Sequence, residues 1–164
     1  MECKDFLQRY ETALTRIDIL KQKLEVLDDR SRSPSSPTID GLPHGSGFRN
    51  PTDNYAVRIE ELLDQIEQAE AEAEAIFKEI ESAIEKMPGT TAALVRQKEI
   101  LKLRYIDLLK WGDISRVLFG SKDDYTAREE SYIRRTTKTH SKALATFTEY
   151  MKGGQGDALR RKKD

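Results

Sequence analysis

The stretch KEILKLRYIDLLKWGDISRVLFGSKDDY, Lys98 to Tyr125, decides how this chain is read. Ile100, Leu101, Leu103, Tyr105, Ile106, Leu108 and Leu109 make its first half apolar over most of a helical circumference, which predicts a helix packed on several sides. Thr90 or Thr91 caps that helix, which is expected to run from Thr91 to Leu109. A break is expected at Trp111–Gly112, followed by a short helix over Trp111–Leu118. Ile114 and Leu118, four residues apart, point to the core. Ser115 offers the small side chain that a close helix crossing needs. Phe119–Gly120–Ser121 ends the pattern.

Two longer helices precede this stretch. From Lys4 to Asp29, Phe6, Tyr10, Ala13, Ile17, Leu20, Leu24 and Leu27 recur at steps of four and three, the seam of a coiled coil. From Thr52 or Asp53, with Pro51 just outside, Tyr55, Ile59, Leu62, Ile66, Ala69, Ala73, Ile76, Ile80, Ala83 and Met87 repeat the pattern, and Pro88–Gly89 ends it. At 1.5 Å per residue this second helix is about 50 Å long. It is expected to fold back antiparallel on the first helix, and its surplus length meets the C-terminal part or a second copy of the chain. From Tyr55 to Met87 it carries ten acidic and three basic residues, which reads as a solvated face or as a surface that repels DNA.

Between them lies SRSPSSPTIDGLPHGSGFRNP, Ser31 to Pro51, holding four of the five prolines and three of the nine glycines. It reads as a flexible connection. Its Gly-Ser-Gly lacks the Gly-Lys-Ser/Thr and the preceding strand of a phosphate loop.

Composition agrees with an all-α fold: the 164 residues are 35% charged and 37% hydrophobic, with few aromatics. The net charge of −1 gives no bulk attraction to nucleic acid or membrane, so any such attraction is local. Cys3 is the single cysteine, which excludes an internal disulfide and a cysteine metal cluster and suits a reducing compartment. No apolar run approaches a membrane span of about 20 residues. The charged start lacks the apolar core of a signal peptide. A soluble protein of the cytoplasm is expected, with no membrane partner. No nucleophile–base pair or paired carboxylate in an apolar setting exists, so an enzyme is not expected, and no cofactor. His44 and His140 have no further ligand at metal-binding spacing.

The last helix is clear from Tyr132 or Ile133. Ile133, Thr137, His140, Leu144, Phe147 and Met151 keep helical spacing on a packing face, and Gly153–Gly154 is expected to end it. Its stretch SYIRRTTKTHSKALATFT, Ser131 to Thr148, has 18 residues and no acid in a chain with 29 acids. Ser131, Arg134, Arg135, Lys138, Thr139 and Lys142 share the face opposite Ile133–His140–Leu144. Basic side chains interleaved with hydroxyls suit phosphate contact and base-edge hydrogen bonding, and also occur on solvated helices. Helix, turn, short helix, turn and basic helix is the order of a helix-turn-helix unit, in which helix 111–118 braces helix 131–151 in the major groove. The expected domains are a hairpin over 1–89, a helix-turn-helix over 90–152, and a disordered basic tail over 153–164 whose RRKK run adds nonspecific DNA affinity or only solubility.

ILKLRYIDLLKWGDISRVLF, Ile100 to Phe119, resembles the fourth region of bacterial sigma factors, where a helix ending in Leu-Arg-Tyr is followed by a Trp-x-x-Ile-small-x-x-Leu helix. YIRRTTKTHSKAL, Tyr132 to Leu144, resembles the recognition helix there and its His-x-x-Ala-Leu ending. Over most of its length, including DGLPHGSGFRNPTDNYA from Asp40 to Ala56, the chain is similar to the phage-encoded, sigma-like transcriptional regulators of Gram-positive prophages. That resemblance implies sequence-specific binding to double-stranded DNA, control of phage transcription in the host cytoplasm, and contact with bacterial RNA polymerase. One departure stands out. The sigma-type turn is short, whereas here FGSKDDYTAREESY intervenes between Phe119 and Tyr132. It reads as a lengthened turn or as an acidic N-terminal extension of the last helix. The rival reading is a coiled-coil assembly protein or DNA-packaging adaptor, a homodimer through its long helices.

Overall fold

The computed structural model describes residues 3–32 and 51–160, except the side chains of 51–53 and 154–160. Five α-helices follow one another with no strand among the described residues: α1 Cys3–Arg32, α2 Pro51–Glu85, α3 Ala92–Tyr105, α4 Trp111–Phe119 and α5 Glu129–Arg160. The fold is all-α. Most of the connection expected over Ser31–Pro51 lies outside the described residues. Ser31 and Arg32 belong to α1, and Pro51 is the first residue of α2 rather than a stop before it. A proline fits there because its missing N–H would have had no helical partner.

The chain forms two compact units, and neither boundary falls at Gly89. Residues 13–73 make one, and residues 1–12 together with 74–164 make the other. In the first, α1 and α2 run antiparallel. Ile17, Leu20, Ile66, Ala69 and Ala73 of the two heptad seams are buried. Arg16 pairs with Glu72 at 3.0 Å and Lys21 with Glu70 at 2.8 Å. Such exposed pairs set register more than they add stability, at up to about 1 kcal/mol each.

The second unit holds the ends of both long helices together with α3, α4 and α5. Arg9 meets Glu79 at 2.8 Å, and Tyr10 lies edge-on to Phe77 at 5.4 Å. Ile76, Ile80, Ile84 and Met87 are buried here, which is where the surplus stripe of α2 goes. Glu85 closes the end of α2 onto α3. Its carbonyl accepts from Lys98 at 2.6 Å and its carboxylate accepts from Lys102. The Lys102 ammonium holds that carboxyl below the usual carboxylate range.

Thr91 caps α3, its hydroxyl accepting from the Leu94 N–H at 3.3 Å. The helix then ends at Tyr105, earlier than its apolar run suggests, so the joint is Ile106–Lys110 and not Trp111–Gly112. Leu108 takes a left-handed φ of 55°, which turns the chain. The Leu109 N–H reaches back to the Leu103 carbonyl at 2.9 Å, and Arg104 donates to the Leu109 carbonyl at 2.9 Å. A left-handed leucine is unfavourable by about 1 kcal/mol, and these bonds offset that strain. Gly112 sits inside α4 with open space where a Cβ would go, so the joint does not need it.

Ile100, Leu103 and Ile114 form the core between α3 and α4, with Leu109, Trp111 and Leu118 packed against it. Ser115 is fully buried, as expected of a close crossing, but its hydroxyl has no hydrogen-bond partner among the described residues. Ser115→Ala is therefore expected to raise the unfolding free energy by about 1 kcal/mol, because it deletes an unsatisfied polar group and favours the helix. A lowered urea midpoint would show instead that the hydroxyl is satisfied.

Candidate nucleic-acid interface

The segment between α4 and α5 sets where the basic helix starts. Gly120 leaves α4 so close to the preceding turn that a Cβ there would collide with the Arg116 carbonyl oxygen. The chain turns through Ser121–Tyr125, makes a single 3-10 turn at Thr126–Arg128, and enters α5 at Glu129. The lengthened turn and the acidic helical extension are thus both present. Aromatics anchor the segment. Tyr132 lies 5.1 Å from Phe119 and 5.5 Å from Tyr125, and its hydroxyl donates to Asp124 at 2.7 Å. That hydrogen bond, more than burial, raises the Tyr132 pKa.

The packing face of α5 is turned from the one its sequence suggests. Thr136, His140, Ala143 and Phe147 are buried, while Ile133, Thr137, Leu144 and Met151 are only partly so. Thr136 and Ala143 escape a hydrophobicity pattern because one is polar and the other small. The Thr136 hydroxyl is satisfied within the helix by the Tyr132 carbonyl at 2.9 Å. α5 also continues through Gly153 and Gly154 to Arg160. A glycine disfavours a helix interior by about 1 kcal/mol but keeps its N–H, so a pair of glycines weakens a helix without stopping it. Residues 161–164 lie outside the described residues.

His140 belongs to the core, in keeping with its place on the packing face. Its Nε2 is 3.1 Å from the Tyr105 hydroxyl, and its ring lies edge-on to Trp111 at 4.9 Å. Trp111 packs across the joint. Arg104 stacks over it at 5.2 Å and donates to the Leu109 carbonyl. Burial, reinforced by Arg104 and Lys4, pushes the His140 pKa down from 6.5 to about 4. The imidazole is neutral when folded, whereas the unfolded chain protonates it below about pH 6.5. Its contribution is therefore complete above that pH and lost as the pH falls towards 4. The expected loss is up to about 3 kcal/mol between those limits, read from urea midpoints against pH. His140→Phe is expected to flatten that part of the profile.

The six residues expected to meet DNA divide. Arg135, Lys138, Thr139 and Lys142 line one open groove of about 380 Å³, and its opposite wall is Ala93, Arg96 and Gln97 of α3. Ser131 and Arg134 lie nearer the start of α5, lining a second groove with Glu129 and Glu130. Arg134 pairs with Glu130 at 3.5 Å, and Glu129 approaches Arg116 at 4.0 Å. The first turn is thus largely charge-compensated. Arg96, Arg135, Lys138 and Lys142 are exposed and form no ion pair among the described residues. Arg135 stacks on Phe119 at 5.2 Å from the ring centre, and Arg96 stacks on the same ring at 5.7 Å.

The hydroxyls contribute less than their spacing suggests. Thr137, Thr139, Ser141, Thr146 and Thr148 each donate to a carbonyl one turn back, at 2.7 to 3.2 Å. Their protons are used within the helix, which leaves only acceptor capacity for a ligand. Arg96 is the residue that sequence reasoning missed. It sits on a helix read as core, 39 positions before Arg135, and no periodicity links the two. No protein-family model, curated protein or solved structure matches the chain.

Proposed function

We propose that the protein is a DNA-binding regulator of phage transcription, with α5 lying in the major groove and α4 bracing it as in a helix-turn-helix. The observation that carries the DNA reading is the set of exposed cations Arg135, Lys138 and Lys142 on α5, which pair with no acid among the described residues. No acid interrupts them between Ser131 and Thr148. Charges of one sign without internal partners suit a polyanion, and counterion release makes such binding steeply salt-dependent. The contacting stretch lies past the acidic first turn, centred on Lys138. Transcription control, the phage setting and contact with RNA polymerase come from the likeness of Ile100–Phe119 and Tyr132–Leu144 to sigma region four.

Fluorescence anisotropy with duplex phage-promoter DNA tests the reading at two salt concentrations. Three phosphate contacts on α5 correspond to a slope of log affinity against log salt of about −3. A promoter duplex is expected to outcompete a scrambled one. Salt-insensitive binding, or none, would remove the regulator reading. One observation favours the assembly reading. Ile19, Val26, Val57 and Leu63 of the 13–73 unit are about half exposed, off its buried seam. A concentration-dependent dimer in sedimentation, together with absent DNA binding, would favour that reading.

A further inference from the structure

We infer that the groove between α3 and α5 is a phosphate-binding site, in which Arg96 of α3 is a full partner of Arg135, Lys138 and Lys142. The inference shares α5 with the DNA reading but does not depend on it, because the shared chemistry is the phosphate oxyanion. A nucleic-acid backbone and a free polyphosphate both supply that group.

The groove is more than a solvated basic stripe. Its cations come from two helices and face a common concavity of about 380 Å³, room for a pyrophosphate or a short run of backbone. No acid lines it. Two of its four charges are held by the same aromatic ring. Phe119 is 4% exposed and fixed from below by Tyr132 at 5.1 Å, and both guanidiniums stack on it. Contact with one buried ring restrains both guanidiniums and leaves their N–H groups available to an oxyanion. The lysines add point charges with freely rotating donors.

The fold thus gathers positive charges with no anion between them among the described residues, an arrangement that a bound anion would relieve. A single carboxylate leaves most of that charge uncompensated. A doubly or multiply charged phosphate compensates it and matches the bidentate geometry of both arginines. The Thr139 hydroxyl donates to the Arg135 carbonyl at 2.8 Å, so it gives the ligand no hydrogen bond and the cations carry the site. Gln97 also lines the groove, and its Oε1 is buried with no hydrogen-bond partner among the described residues.

The test is a titration of the full chain with sodium pyrophosphate, followed by amide chemical shifts at constant ionic strength. Saturable shifts are expected at Ala93–Gln97 and Arg135–Lys142, with a dissociation constant of about 0.1 to 1 mM. Sodium chloride is expected to give none. Arg96→Gln is expected to weaken binding at least about tenfold, as one lost charge-assisted bond implies. Lys138→Gln with Lys142→Gln does the same while leaving both Phe119 stacks in place, which separates charge from folding. Absent saturation, or unchanged affinity in both variants, overturns the site. A second arm adds duplex DNA to the pyrophosphate complex. Displacement identifies the backbone as the source and supports both readings. Saturable pyrophosphate binding without displacement keeps the site, assigns it to a free polyphosphate, and counts against the DNA reading. DNA binding that Arg96→Gln leaves unchanged in affinity and salt slope keeps the DNA reading and overturns the role of Arg96.

Discussion

Replacing Arg135, Lys138 and Lys142 together by glutamine is expected to weaken binding to duplex DNA about a thousandfold at 0.1 M salt. Each phosphate contact releases close to one counterion, worth about a factor of ten at that concentration. The three side chains are exposed and share no ion pair with one another or with an acid among the described residues. Their losses should therefore add rather than be rescued by a neighbour. The salt slope is expected to shrink in the same experiment by about three. Arg134→Gln is the informative contrast. Its guanidinium is already paired with Glu130 at 3.5 Å in a largely compensated first turn, so it is expected to cost less than tenfold. Equal losses from Arg134 and from each of the other three would place the contact at the start of α5 instead. Arg134, Lys138 and Lys142 are exposed, so their single glutamine variants should stay within about 0.5 kcal/mol of the parent, whereas Arg135→Gln also loses its contact with Phe119, worth about 0.5 to 1 kcal/mol.

The largest expected effect on stability comes from Phe147→Ala, a loss of about 4 kcal/mol in unfolding free energy. Phe147 is fully buried on the inner face of α5. Its ring stacks on Phe6 of α1 with centroids 6.3 Å apart and planes 27° apart. Truncation removes the transfer free energy of a benzyl group and leaves a cavity that rigid helices fill poorly. Chemical denaturation followed by circular dichroism measures the loss. Phe147→Leu keeps most of the volume and is expected to cost less than half as much. A loss below about 1 kcal/mol for the alanine variant would mean that α5 does not pack on α1 through this residue. Phe6 lies 141 positions earlier, so the pair also tests whether the first residues of the chain belong with its C-terminal helices.

The acidic segment FGSKDDY fits a purely structural account. Tyr125 is buried, and its hydroxyl reaches the Gly112 carbonyl at 3.5 Å. Asp124 receives the Tyr132 hydroxyl and pairs with Arg128 at 3.5 Å. These contacts fasten the long turn to α4 and to the first turn of α5. The extra residues thus fix the direction in which α5 leaves the turn. A short turn achieves that by its length alone.

The sequence by itself determined the helical class, the two heptad seams, a threonine cap for α3 at position 90 or 91, the short α4 with its buried Ile114 and Ser115, and the acid-free stretch of α5. Each is encoded within a few residues, by a repeat of 3.6 or 3.5, a capping hydroxyl or a run of like charge. Only the tertiary structure decided that α3 stops at Tyr105, where a left-handed Leu108 and the Leu109–Leu103 bond outweigh an apolar pattern that would carry the helix further. It also decided that α5 turns Thr136 and Ala143 inward, that His140 faces Tyr105 and Trp111, and that Arg96 joins Arg135 at one ring. Those outcomes depend on how helices far apart in sequence cross. Crossing is set by the packing of whole side-chain surfaces, so no local pattern records which charges will meet.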